Sequence, residues 1–309
     1  MESAVITGAT GVVGTALINK LIKQNVNILV LARKNGRVSN LPKHPLVKIQ
    51  YCALDELKCF KVHDGKQYDA FFHLGWCGTF GSERADRELQ QKNIEYTCDA
   101  VRLAKKLGCK VFIGSGSQAE NGVLPYGMRV SDTAPENPES EYGKAKLDAG
   151  RKSRELCIKL GIRHEWCRIL SAYGPGDAPR SMVMSTLIKM LNGENCDFTK
   201  AEQIWDYAFC DDVANALFAA AEKGKDEAIY AIGSGEARTL KDYILTMAKV
   251  TGTKSQLNFG AVDYYPNQPM FLCADISKLC ADTGFKPETD FESGIIKTVA
   301  FLKEGYFNG

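Results

Sequence analysis

The 309-residue chain has little that would bind a metal or form disulfides. Its eleven cysteines include no C-x-x-C pair, and Cys109, Cys157 and Cys210 sit inside apolar strand or helix patterns. That usage fits reduced, buried thiols. Four scattered histidines supply no ligand cluster, so no metal centre is expected. A net charge of +2 makes no demand for nucleic acid or an anionic membrane as partner. No apolar run approaches the ~20 residues of a membrane-spanning helix. The first strand starts almost at Met1 and leaves no room for a secretion signal. Internal repeats and low-complexity segments are missing as well. What remains is the expectation of a cytoplasmic α/β protein whose 45% hydrophobic content suits one large domain or two unequal ones.

The chain is organised around Val5-Ile6-Thr7-Gly8-Ala9-Thr10-Gly11-Val12-Val13-Gly14. An apolar run stops at Gly8, and the next apolar residues, Val12, Val13, Ala16, Leu17, Leu21 and Ile22, fall at helical spacing. The pattern reads as strand, glycine turn and helix, with glycines at G-x-x-G-x-x-G. Gly8 permits the tight exit from the strand, Gly11 lets backbone N–H groups approach a phosphate, and Gly14 lets the helix pack on the strand. The helix then points its positive N-terminal end at a pyrophosphate. An ordinary βα turn would also show glycine, but a second strand, Val26 to Ala32, follows as dinucleotide binding requires.

Further strands are expected at Val47–Tyr51, Ala70–Leu74, Lys110–Ile113, Arg163–Leu170 and Ile229–Gly233. Long helices are expected from Arg84 to Leu107, stopped by Gly108, and from Tyr142 to Leu160, closed by Gly161. Asp55–Phe60 is an acidic-start segment, and Asp290–Phe307 reads as an amphipathic helix. This alternation implies a doubly wound parallel sheet with ligand bound outside the carboxyl ends of its strands. The loop Gly122–Ser140 is rich in breakers, and Tyr173-Gly174-Pro175-Gly176-Asp177-Ala178-Pro179 marks a border. Residues 1–172 then form a dinucleotide-binding domain and 173–309 mainly a substrate region, with 203–233 returning to the first. Asp211 and Asp212 open a helix through Glu222 and read as N-cap and first-turn charge.

Tyr142 and Lys146 stand at i and i+4 on one helix face. A free phenol has a pKa of about 10, and a nearby ammonium would lower it toward the working range of a proton donor. The same lysine can reach cofactor ribose hydroxyls. An exposed aromatic with a snorkelling lysine gives the same spacing. Ile113-Gly114-Ser115-Gly116-Ser117 weighs against that, since it ends a strand with two hydroxyls where ligand should lie. A hydroxyl there can hydrogen-bond a substrate carbonyl and the oxyanion that hydride addition produces.

With these residues in place, the chain resembles an extended short-chain dehydrogenase/reductase of the NAD-dependent epimerase/dehydratase family, whose members act on nucleotide sugars. The likeness covers nearly the whole length. It rests on Thr7 to Gly14, His73-Leu74-Gly75, Asn93, Ser115-Gly116-Ser117, Tyr142-Gly143-Lys144-Ala145-Lys146, Tyr173-Gly174-Pro175-Gly176, Asp206-Tyr207 and Asp211-Asp212-Val213-Ala214. The resemblance implies a Rossmann-like fold with a smaller interleaved substrate region. By it, Ser117 binds the sugar carbonyl or hydroxyl, Tyr142 is the acid-base group, and Lys146 tunes it and holds ribose. Leu54, Leu74, Gly75, Ser115 and Leu170 are expected to line the cofactor beside Gly8, Thr10, Gly11, Val12, Val13 and Gly14. A homodimer is implied too, with the two long helices pairing across a two-fold axis. Val101, Ala104, Leu147 and Leu156 could supply that contact or could face the sheet.

Where sugar 4,6-dehydratases of the family carry an Asp-Glu pair after the serine or threonine, this chain has Gln118 and Ala119, which argues against water elimination. Trp205 replaces an arginine for the diphosphate, Ser171 replaces a substrate-contacting asparagine, and Ala53 stands where an aspartate often lies near adenine. The substrate side is thus expected to include Ser117, Gln118, Tyr142, Ser171 and Trp205. Ala32 ends the second strand where an acid would hold the ribose 2′-hydroxyl of NAD, and Arg33 can take a 2′-phosphate bidentately. This favours NADP(H), with Lys34 and Arg37 beside it. NAD is the alternative if that loop is only solvated. His73 reads as packed core, Glu120 as a surface carboxylate in preference to a second acid, and Arg151-Lys152-Ser153-Arg154 as a solvated helix face. The leading function is NADPH-dependent reduction of a 4-keto nucleotide sugar. An NAD-retaining 4-epimerase is the runner-up, and a non-catalytic cofactor sensor is the alternative from another class.

Overall fold

Adjacent apolar residues set the layers. Val5 and Ile6, Leu29 and Val30, Phe71 and Phe72, and Phe112 and Ile113 point to opposite faces of their strands, and all are buried. Such doubly apolar strands need helices on both sides. The fold is seen in a computed structural model, which describes residues 1–61 and 65–305. In chain order it contains β1 Ser3–Thr7, α1 Val12–Lys23, β2 Asn27–Ala32, β3 Val47–Tyr51, β4 Ala70–His73, α2 Arg87–Lys106, β5 Val111–Ser117, α3 Glu141–Leu160 and β6 Arg163–Ile169. There follow β7 Ser171–Tyr173, α4 Met182–Asn192, β8 Cys196–Phe198, β9 Ile204–Trp205, β10 Tyr207–Phe209, α5 Cys210–Lys223 and β11 Ala228–Ile232. The last elements are β12 Arg238–Thr239, α6 Leu240–Thr251, β13 Leu257–Phe259, α7 Ser277–Thr283 and α8 Phe291–Gly305.

Seven strands form one sheet in the order β11-β6-β5-β4-β1-β2-β3, and every neighbouring pair is parallel. Ile6, Val30, Phe72 and Ile113 belong to the core on one face with α1 and α5, whereas Val5, Leu29, Phe71 and Phe112 belong to that on the other with α2. The chain winds outward from β1 in one direction and from β4 in the other. The crevice at that reversal is where a parallel sheet holds ligand. Three two-stranded ribbons, β7 with β10, β9 with β12 and β8 with β13, lie outside the sheet. Among the described residues no helix is long and apolar enough to cross a membrane, and no group of three or more His, Cys, Asp or Glu could hold a metal.

Several boundaries differ from expectation for identifiable reasons. The long helix starts at Arg87, because Asp86 accepts a hydrogen bond from Leu89 N at 3.1 Å and caps it. Arg84 instead sits in a 3₁₀ turn, Gly81–Ala85. β5 continues through both serines to Ser117, because its glycines accept the Trp166 ring: a Cβ on Gly114 would lie 2.3 Å from that ring. Asp211 and Asp212 do stand in the first turn of α5, but Phe209 is its N-cap, so the capping role expected of the aspartates is corrected. Asp212 accepts from Glu288 N and Thr289 N at 3.1 and 2.9 Å and so pins the approach to α8. That helix has an apolar face of Phe291, Ile295, Val299 and Leu302; Tyr306 and Phe307, at the end of the expected tail helix, lie outside the described residues. Within Arg151–Arg154 the solvated reading fails at Ser153, which is buried and bonds His164 Nε2 at 2.9 Å. Val101, Ala104 and Leu147 are buried within this chain, and the outer rows of α2 and α3 present Lys92, Glu95, Arg102, Lys144 and Arg151.

Asp206 ties the later segments to the sheet. Its fully buried carboxylate accepts from Ser234 N and Oγ, Gly235 N and Ala274 N at 2.7–3.1 Å. Asp206→Ala would strip a partner from the buried Ala274 N–H and from the part-buried Ser234 and Gly235 N–H groups, and should cost roughly 2–3 kcal/mol. Urea unfolding should show a lower midpoint; an unchanged midpoint would mean that other groups satisfy those amides.

Candidate active site

The glycine turn shapes one end of the cleft. Gly8 has φ +74°, and a Cβ there would lie 2.5 Å from Gly75 N. Gly14 packs so closely that a Cβ would meet Gly8 O at 2.4 Å. Gly11 is the N-cap of α1 and offers no side chain to the helix's first amides, which leaves them free to bind a phosphate. Two adjoining hollows open here, of about 840 and 500 Å³. They share Thr10, Gly11, Arg33, Leu74, Trp76 and Thr79. The smaller adds Gly8, Ala32, Leu54, Asp55 and Gly75, and the larger adds Val12, Val13, Arg37, Ser115, Ser117, Gln118, Tyr142, Lys146, Leu170, Ser171 and Trp205. Of the residues singled out from the sequence, Gly14 lies beneath the cleft and Lys34 is exposed without lining it.

Local alternation places the serines. On β5, Ser115 and Ser117 project on one side while Gly114 and Gly116 receive Trp166 on the other. Ser117 Oγ accepts from Ala119 N at 3.2 Å and donates to Gln118 Oε1 at 3.0 Å. Its amide donates to Glu120 Oε1 at 2.7 Å. Glu120 is not the surface carboxylate expected: it is fully buried, and it accepts also from Trp166 Nε1 at 3.0 Å and Arg168 Nε at 2.8 Å. Arg168 and Arg151 both bind Glu136, which extends the chain of charges outward.

Tyr142 and Lys146 are both buried, which excludes an exposed tyrosine with a snorkelling lysine. Lys146 Nζ donates to Ser115 O at 2.7 Å and lies 3.8 Å from the centre of the Trp76 ring. Burial pulls its pKa down to about 7, while the Glu120 carboxylate pushes back. Burial likewise raises the Tyr142 phenol, and the Ser117 hydroxyl and the Arg84 charge draw it down. The lysine was expected to supply that downward pull; its ammonium lies 5.9 Å from the Tyr142 ring centre, whereas the Arg84 guanidinium lies 4.1 Å away. Trp76 completes the group, edge-on to Tyr142 with ring centres 6.1 Å apart. Behind them His73 is packed core as expected, bonded to Thr7 Oγ1 at 2.9 Å and Thr97 Oγ1 at 3.2 Å, and burial depresses its pKa to about 3.

Sequence reasoning gave Trp76, Arg84 and Arg180 no place in the cleft. Trp76 directly follows His73-Leu74-Gly75 at a strand end, which was the available signal; Arg84 was read as the start of the long helix, and Arg180 sits in a loop with no periodicity to flag it. Ser171 and Trp205, two of the positions expected to depart from the family pattern, hydrogen-bond each other, indole Nε1 to Oγ, at 2.8 Å.

A family model described as the NAD dependent epimerase/dehydratase family matches residues 4–233. The chain is 26% identical to CDP-abequose synthase of Salmonella muenchen, over 98% of each chain. It is 23% identical to dTDP-glucose 4,6-dehydratase of Salmonella typhimurium, over 95% of this chain and 91% of the other. Among solved structures, the UDP-glucose 4-epimerase of Thermus thermophilus in complex with NAD superposes with a TM-score of 0.86 at 20% identity, over 98% of this chain and 99% of that one.

Gly14→Ala tests the glycine turn. The added methyl would push α1 off the Gly8–Ala9 backbone and displace its N-terminal amides. Titration with a nicotinamide dinucleotide should show affinity at least tenfold weaker, since a loss of about 1.4 kcal/mol is tenfold; wild-type affinity would show that those amides do not hold the dinucleotide.

Proposed function

Because the chain belongs to the NAD-dependent epimerase/dehydratase family, we propose that it reduces the 4-keto group of a nucleotide-linked 4-keto-6-deoxy sugar with NADPH. The observation that carries this reading is how the acids near the cleft are spent. Glu120 is locked by Ser117 N, Trp166 and Arg168, and Gln118 and Ala119 fill the positions before it. Asp177, an acid on the cleft wall, accepts from Ala178 N, and burial raises its carboxyl. Elimination of water needs an acid–base pair beside the serine, and Gln118 and Ala119 supply none there. A ketone reduction needs only a carbonyl ligand and a proton donor.

The residues fit a dinucleotide. Gly8, Gly11 and the first amides of α1 would hold its pyrophosphate, and Leu54, Leu74, Gly75, Ser115 and Leu170 would line its length. When bound, the nicotinamide would supply the hydride. Ser117 Oγ would turn from Gln118 and donate to the C4 carbonyl oxygen, which polarises it and stabilises the alkoxide. Tyr142 would give its phenolic proton to that alkoxide, so the C=O becomes CH–OH, and solvent restores the phenol. Lys146, anchored on Ser115 O, would hold the ribose hydroxyls. Trp205 and Ser171, tied together, would present an indole to the nucleotide sugar where an arginine is replaced.

NADP is the favoured cofactor because Ala32 leaves the β2 end without an acid and Arg33 and Arg37 line the cleft beside it. Two observations favour NAD and the 4-epimerase reading instead: Asp55 lines the smaller hollow, and similar structures are described with NAD. The proposal includes a homodimer; with Val101 and Ala104 used inside, pairing of α2 and α3 would rest on their charged outer rows. Residues 173–309, apart from the return at 203–233, would close the sugar side.

Adding a 4-keto-6-deoxy nucleotide sugar should cause stoichiometric loss of NADPH absorbance. Tyr142→Phe should slow this by roughly 10²-fold or more and leave NADPH affinity close to wild type, since it removes the proton and keeps the ring. If no such ketone oxidises NADPH while 4-hydroxyl epimers interconvert, the epimerase reading replaces this one.

A further inference from the structure

We propose that Arg84 is a positioning residue for proton transfer, a fixed cation over the face of Tyr142 that stabilises the phenolate formed when the proton leaves. The proposal rests on the reading of Tyr142 as proton donor. Its geometric basis is the guanidinium 4.1 Å from the ring centre, on a turn that precedes α2, against 5.9 Å for the Lys146 ammonium on Tyr142's own helix. Arg84 is held there by Nη1 donating to Thr79 O at 3.1 Å, and no carboxylate among the described residues forms an ion pair with it. Its charge is therefore not neutralised by a partner.

The charged groups that face the phenol are Arg84 from the 81–85 turn, Lys146 from α3 and Glu120 from the turn after β5. Ser117 is the neutral donor beside them. The two cations are not equivalent. Burial favours loss of the Lys146 proton, whereas a guanidinium stays charged. Lys146 is also spent on Ser115 O and the Trp76 ring. A phenolate spreads negative charge into its ring, so a cation over the face binds phenolate more tightly than phenol. Stabilisation that grows as charge develops lowers a barrier; stabilisation equal in both states does not.

The sign follows directly. Removing Arg84 disfavours the phenolate, so the phenol should ionise at higher pH. Phenolate absorbance is titrated in wild type and in Arg84→Gln, each minus the same protein carrying Tyr142→Phe, so that only Tyr142 is read. The midpoint should move up by roughly 0.5–1.5 pH units in Arg84→Gln and by less in Arg84→Lys, which keeps the charge. The alkaline limb of kcat should move the same way. Arg84→Met, which keeps the apolar stem, replaces the glutamine variant if that fails to fold. An unchanged midpoint in the folded variant, whatever happens to turnover, overturns the proposal. The titration needs no substrate, so it stands or falls separately from the choice of ketone.

Discussion

The site depends on one buried carboxylate. Glu120 has no exposure to solvent, and such a charge is tolerated only when donors surround it. Here the Ser117 amide, the Trp166 indole and the Arg168 guanidinium do so. Each donor has its own structural consequence. The amide fixes where β5 ends, and hence where the Ser117 hydroxyl lies. The indole fixes Trp166, whose ring fills the space that Gly114, Gly116 and Gly150 leave open. The guanidinium carries the charge outward to Glu136 and Arg151. Removing one partner of such a pair typically costs about 3–5 kcal/mol, so the network is a strong constraint on the strand end.

Above this base the cations are arranged by burial. Lys146 would be costly at such depth without Ser115 O and the Trp76 face, and even with them its proton is held less firmly than usual. Tyr142 is driven toward its neutral phenol, the form a proton donor must have. The Ser117 hydroxyl and the Arg84 charge oppose that drive and favour release of the proton. Arg33, Arg37, Arg84 and Arg180 line the same space, where Asp177 and Asp55 are the acids, so the cleft matches an anionic dinucleotide and an anionic nucleotide sugar.

The strands could be read from the sequence because burial on both faces leaves unbroken apolar runs such as Ala4–Ile6 and Ile28–Ala32. The glycine turn could be read because Gly8 and Gly14 answer steric demands there. Glu120 was misjudged because its partners Trp166 and Arg168 lie 46 and 48 residues along the chain, on a strand whose proximity no local pattern reveals. Arg84 was taken for the first turn of a helix, since nothing but the capping geometry of Asp86 separates it from α2. The i,i+4 spacing of Tyr142 and Lys146 was visible, but not that the lysine's charge is directed at Ser115 and Trp76.

The central claim is that the cofactor exchanges in every cycle, as a reductase requires. The most direct measurement is the identity and amount of nicotinamide dinucleotide released on denaturing protein purified without added ligand. The account predicts well under one equivalent, with NADPH binding reversibly and more tightly than NADH when both are then titrated. One equivalent of retained NAD per chain would contradict it.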